Sequence, residues 1–184
     1  MQGYVDCHCH ISSKDFDKDL EEVVESSKQA GVLAILAVAE HAGEFEKIIE
    51  LSQRFPGFIF PCLGVHPVQE VSPEQQRGAS LQDLDAALPL IEKYKDQLVA
   101  IGEVGLDFTP RFVRGETDKD VQRKVLIRDL ITLASINSQG KPHCLVSSNE
   151  FRLWCSFSGS ACRRAAASGS SSRRQIHWLI AIVL

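Results

Sequence analysis

No apolar run in this 184-residue chain reaches the roughly 20 residues needed to cross a bilayer, so no membrane-spanning helix is expected. The N-terminus lacks a basic stretch followed by an apolar one, and no secretory leader is expected. The six cysteines include no Cys-x-x-Cys pair, which argues against a zinc-finger or thioredoxin-type site. They are expected to be mostly free thiols in a reducing compartment. No Gly-x-Ser-x-Gly elbow is present, and neither a Walker nor a dinucleotide-binding glycine pattern occurs. The formal net charge is -4, so no overall basic field points to nucleic acid. Local patches or a bound metal could still supply positive charge.

What the chain does have is a repeated pattern. Short apolar runs at Tyr4–Cys9, Val32–Ala39, Phe58–Leu63 and Leu98–Val104 read as strands. They alternate with helical periodicities at Phe16–Gln29, Phe45–Phe55, Leu81–Tyr94 and Asp118–Ala134. On the last helix Val121, Val125, Leu126, Leu130 and Leu133 form the expected inward stripe, and Gly31 is a candidate cap closing the first helix. Runs apolar on both faces are what parallel strands covered by helices require. The pattern is therefore α/β, with about four βα units in a barrel or an open sheet.

After about Ser135 this regularity stops. Residues 144–172 hold nine serines and three cysteines, and residues 141–184 hold six Lys or Arg against one Glu. Residues 1–135 are read as a partial barrel domain. Residues 136–184 are read as a divergent Ser/Arg-rich tail with little regular structure, of alternative-splicing or frame-change origin, ending in an apolar run at Ile176–Leu184.

The strand ends carry the chemistry. Asp6-Cys7-His8-Cys9-His10 closes the first run. Strand side chains alternate between faces, so His8 and His10 are expected on one face as a metal-binding pair, with Cys7 and Cys9 together on the other, packed in the core. Asp6 is a candidate partner orienting an imidazole. Glu40 and His41 end the second run, and read equally as a loop entering a helix. His66 follows the third run at a turn fixed by Pro67; it is placed to meet a phosphate or a water, or to cap backbone. Glu103 sits inside the fourth run between glycines. A carboxylate there is costly unless paired or metal-bound, which makes it a candidate ligand able to bridge two ions. Asp107 could orient substrate or water, or be an ordinary loop residue. Arg111 and Arg114 read as solvated loop charges that could also meet phosphates.

Three ordered motifs, Asp6-Cys7-His8-Cys9-His10, Gly64-Val65-His66-Pro67 and Ile101-Gly102-Glu103-Val104-Gly105-Leu106-Asp107, together resemble the TatD family of metal-dependent deoxyribonucleases over roughly Tyr4–Ala134. The resemblance implies the N-terminal half of a TIM (β/α)8 barrel of metal-dependent hydrolase type. It implies divalent metal ions, two in number and of Mg, Mn or Zn type, and DNA as substrate. His8, His10 and Glu103 would be metal ligands, with Glu103 shared by both ions. Glu103 and His66 would be catalytic, and His66 and Asp107 would meet substrate. The place of work would be intracellular, cytoplasmic or nuclear. The family pattern continues with histidines on strands five and six and a late Asp. Here Lys141-Pro142-His143-Cys144 falls where strand five would begin, His177 lacks the expected context, and no Asp follows Asp129. Impaired catalysis is therefore expected of this chain, the alternative being a non-catalytic truncated isoform or interaction protein.

Overall fold

The computed structural model describes residues 3–72, 75–137, 144–148 and 178–183. Strands β1 (Tyr4–Cys9), β2 (Val32–Val38), β3 (Ile59–Leu63) and β6 (Ala100–Leu106) lie side by side and parallel. Helices α1 (Leu20–Gln29), α2 (Phe45–Arg54), α3 (Leu81–Tyr94) and α4 (Glu116–Asn137) follow them in turn. These are the four expected βα units, and the parallel sheet is that of a partial TIM barrel. Between β3 and α3 the chain inserts an antiparallel hairpin, β4 (Val68–Ser72) and β5 (Gln75–Gly78), which shows no apolar alternation in the sequence. Within the segment expected to be a tail, β7 (Cys144–Ser148) and β8 (Trp178–Val183) pair antiparallel to each other, and β8 pairs antiparallel to β6. The sheet order is thus β1-β2-β3-β6-β8-β7.

The main core forms where the helices cover the sheet. Leu20 and Val24 of α1, Phe45, Ile48, Ile49 and Leu51 of α2, and Leu84, Ala87 and Ile91 of α3 pack against Ile35, Ala37, Ile59, Leu63, Ile101 and Val104. A second, smaller cluster of Leu36, Val38, Cys62 and Ala100 contains no helix residue and occupies the opposite face. Helix α1 begins at Leu20, later than expected, because Lys14–Phe16 forms a separate 3-10 turn in which Ser13 Oγ accepts from the Asp15 N–H. It closes through Gly31, whose φ of 89° suits glycine.

Two expectations need correction. Cys7 packs with Leu36, Val38, Cys62 and Ala100, whereas Cys9 packs with the helix-side core. The β1–β2 register shifts between Asp6 and Cys9, and a one-residue shift sends a side chain to the other face. Among the described side chains of α4 the buried positions are Gln122, Val125 and Asp129, while Leu130 is exposed together with Ile127 and Ile131. Of the expected stripe, Val125 is buried and Leu126 packs against the core, while Gln122 and Asp129 take buried places beside them.

Candidate metal centre

Each parallel strand delivers one or two groups to its C-terminal end, the end at which barrel enzymes build their sites. His8 and His10 come from β1 and the residue after it, Glu103 from β6, and His66 from the turn after β3. Glu103 is at the centre and only 2% exposed. His8 Nε2 lies 3.2 Å and His10 Nε2 3.5 Å from its Oε2, and His66 Nε2 lies 3.6 Å from its Oε1. The Glu103 N–H donates to Ala39 O at 2.9 Å, fixing the residue against the end of β2.

Close backbone packing makes this convergence possible. A Cβ on Gly64 would stand 2.8 Å from Val104 Cγ1, 2.9 Å from the Gly102 carbonyl carbon and 3.0 Å from Glu103 O. Only glycine lets the turn carrying His66 approach β6 so nearly. Two buried glutamines tie the turns together. Gln69 Nε2 donates to Glu40 O and His66 O, each at 2.9 Å. Gln122 Oε1 accepts from the Asp107 N–H at 2.9 Å, while its Nε2 donates to Asp107 O at 2.9 Å and Pro67 O at 3.0 Å. Gln122→Leu would strand these buried backbone groups, each costing about 1–3 kcal/mol when unpaired. Urea unfolding is expected to show a loss of about 3 kcal/mol; a change below about 0.5 kcal/mol would show that the clamp carries no stability.

The cluster has the chemistry of a cation site. His10 Nδ1 is 3.1 Å from Val38 O, a contact that requires Nδ1–H and leaves Nε2 with its lone pair. His10 Nε2 and His8 Nε2 face each other at 3.3 Å. Despite the 3.2 Å approach of His8, no hydrogen bond of acceptable geometry reaches Glu103 Oε2. Two ring nitrogens and an unsatisfied buried carboxylate oxygen therefore converge on one point, and their donor atoms lie within 4.8 Å of one another. A divalent cation satisfies all three, so the residues fit the metal the sequence suggests. Burial by itself would raise the Glu103 pKa. The close approach of His8 and the charges of His66, His8 and His10 outweigh it, and the carboxyl titrates below its ordinary range. The same carboxylate raises the His8 pKa against the opposing effect of burial.

The other candidates fall into place around this centre. Asp6 Oδ1 accepts from the His8 backbone N–H at 3.1 Å, so it braces the strand end and not the imidazole. Asp107 is 7% exposed and its Oδ1 accepts from the Thr109 N–H at 2.8 Å, closing the turn after β6. Arg111 and Arg114 are exposed, and the Arg111 guanidinium stands over the Phe112 ring. Burial pushes the Cys9 thiol up to about 11, and its side chain packs with the helix-side core. His143 and His177 lie outside the described residues.

Sequence reasoning gave little weight to Glu40, yet a Glu40 donor atom stands within 4.8 Å of both His66 and Glu103. Its position directly after a parallel strand was the available signal. Gln69 and Gln122 gave none, since a buried glutamine is visible only once its partners are placed.

A family model described as TatD related DNase matches residues 5–142. Human deoxyribonuclease TATDN3 is 60% identical over 135 residues, 73% of this chain and 49% of that protein. The 3'-5' ssDNA/RNA exonuclease TatD of Pectobacterium carotovorum subsp. carotovorum is 34% identical over 107 residues, 58% of this chain and 38% of that protein. The crystal structure of YjjV, a TatD homologue from Escherichia coli K12, matches with a TM-score of 0.57 and 26% identity, covering 73% of this chain and 48% of that one. The chain spans about half the length of the curated relatives it matches. Matched from Val5 to Pro142 by that family model and sharing the fold of its relatives, the chain belongs to the TatD-related DNase family.

Proposed function

We propose that this chain acts as a metal-dependent hydrolase on the phosphodiester bonds of DNA, through a divalent ion held by His8, His10 and Glu103. The observation that carries the reading is the buried Glu103 carboxylate, approached by three imidazoles at 3.2–3.6 Å with Oε2 lacking a hydrogen bond. A divalent ion supplies Lewis-acid charge to a phosphoryl oxygen and makes water a stronger nucleophile at neutral pH. The residues supply the rest. Glu103 brings negative charge to a place where it is stable only beside cations. His10 is held in one tautomer by Val38 O, which keeps its Nε2 available. His66, 16% exposed and 3.6 Å from Glu103 Oε1, is the side chain assigned to meet a phosphate oxygen. Asp107 shapes the substrate's side of the site by holding the turn after β6. Imidazole and carboxylate donors suit Mn or Zn, and Mg to a lesser degree.

No helix among the described residues is long and apolar enough to cross a membrane. Cys7, Cys9 and Cys62 form no disulfide among the described residues, in keeping with the reading of an intracellular place of work, nuclear or cytoplasmic.

The test is cleavage of an end-labelled single-stranded oligonucleotide by the purified 184-residue chain with Mn2+. Metal-dependent cleavage, lost in His8→Ala, is the expected result. Absence of cleavage at saturating Mn2+ would overturn catalysis by this chain and favour the non-catalytic alternative.

A further inference from the structure

We propose that two copies of this chain associate through α1 of one copy and α4 of the other, an acidic helix face against a basic one. The surfaces lie outside the metal centre, and the association does not depend on it.

Helices α1 and α4 follow the first and the last of the four parallel strands. Each turns charges of one sign to solvent. On α4, Lys124, Ile127, Arg128 and Ile131 are all exposed, Ile127 at 55% and Ile131 at 58%. The spacing i, i+3, i+4, i+7 puts them on one side of the helix, away from the buried Gln122, Val125 and Asp129. On α1, Glu22, Glu25, Ser26 and Gln29 repeat that spacing and are exposed, opposite the buried Leu20 and Val24. Tyr4 stands beside the end of this helix. Its N–H donates to Gly31 O at 2.9 Å, and the residue is 71% exposed.

These charges are unmatched among the described residues. Other charges on the same helices are paired: Lys119 with Glu116 at 3.0 Å, Arg123 with Glu116 at 2.9 Å and Asp120 at 2.6 Å, and Glu21 with Arg54. Lys124, Arg128, Glu22 and Glu25 have no ion-pair partner among the described residues. Like charges three or four residues apart on a helix repel. Glu22 with Glu25, and Lys124 with Arg128, are each relieved by a surface of the opposite sign.

The faces match in spacing as well as in sign. At about 1.5 Å of rise per residue, Glu22 and Glu25 are about 4.5 Å apart along their axis, and Lys124 and Arg128 about 6 Å. Laid parallel, with Glu22 against Lys124 and Glu25 against Arg128, the helices bring Ile131 toward the Tyr4 end of α1. Exposed ion pairs alone hold little. The apolar surface of Ile127, Ile131 and Tyr4 removed from water supplies the remainder. In a two-fold dimer the contact occurs twice, and the symmetry closes the assembly at two copies.

The experiment is sedimentation velocity of the full chain at roughly 100 µM, above the micromolar Kd of a weak interface. Two charge-reversed variants run in parallel, Lys124→Glu/Arg128→Glu and Glu22→Lys/Glu25→Lys. The wild type is expected at twice the 20.4 kDa of one chain. It should associate at least ~10-fold more weakly at about 1 M salt, where charges are screened beyond about 3 Å. Each variant alone should lose at least ~10-fold in affinity, because both of its faces then carry one sign. Their thermal melts should match the wild type, since all four positions are exposed. An equimolar mixture of the two variants should restore the dimer, each acidic face meeting a basic one. A monomeric wild type, a dimer indifferent to salt, or a dimer that either variant leaves intact would overturn the proposal. So would variants that dissociate but fail to recombine when mixed, because the two faces would then not be partners.

Discussion

Glu103→Gln is expected to lower divalent-metal affinity by at least ~100-fold, more than the 10–100-fold that loss of an outer partner costs. Any hydrolysis should fall on the order of 10³-fold, the scale of losing one preorganised electrostatic group. The reason lies in the charge. Glutamine keeps the shape but removes the anion on which His8, His10 and His66 converge. Thermal melts separate this from unfolding. Without metal the variant should melt at or somewhat below the wild-type temperature at neutral pH, because the ionised carboxylate that the imidazoles stabilise has been removed. With metal at about 100 times its dissociation constant, the wild type should gain about 2.7 kcal/mol, and the variant almost none. Equal gains in both proteins would show that the ion binds elsewhere.

Asp129 offers the second large effect, in stability. Its side chain is fully buried on α4, neither oxygen has a hydrogen-bond partner among the described residues, and burial raises its pKa to about 8. The unfolded chain ionises this group near its ordinary value, about 3.9. The folded state therefore holds an extra proton between about pH 4 and pH 8. Its contribution is fully present below about pH 4, is lost as pH rises through that window, and is gone above about pH 8. At about 1.4 kcal/mol per unit the difference amounts to at most ~6 kcal/mol. Asp129→Asn removes the ionisation but leaves an unpaired amide, so a gain of about 3 kcal/mol at pH 8 is expected, a rise in midpoint of roughly 10 °C. Little difference should appear at pH 4. Melting curves of both proteins from pH 4 to pH 8 test this. Parallel curves across the range would mean that Asp129 ionises freely in the folded chain.

The four βα units were legible because apolar runs covered on both sides and helices with one apolar face leave distinct periodicities. His8, His10 and Glu103 were legible for a different reason. Polar groups at the ends of consecutive parallel strands fall on one edge of the sheet, whatever the loops between them do. Local pairing was not legible. The register shift between Asp6 and Cys9 places Cys7 and Cys9 on different faces, against simple alternation. The hairpin of β4 and β5 is built from polar residues such as Gln69, Glu70, Gln75, Gln76 and Arg77, with no apolar period to announce it. Glu40 resembled a loop acid until the turn after β3 brought His66 beside it. Gln122 lies between Val121 and Arg123 on α4, and its hydrogen bonds to Pro67 and Asp107 reach across 55 and 15 residues of sequence.

The central claim is that His8, His10 and Glu103 together bind a divalent cation. Anomalous diffraction from Mn2+-loaded crystals of the chain, measured at the manganese edge, tests it most directly. A peak about 2.0–2.3 Å from His8 Nε2, His10 Nε2 and Glu103 Oε2 is the expected result. A map without a peak at that point, with Glu103 Oε2 accepting a hydrogen bond from a protonated His8, would contradict the account.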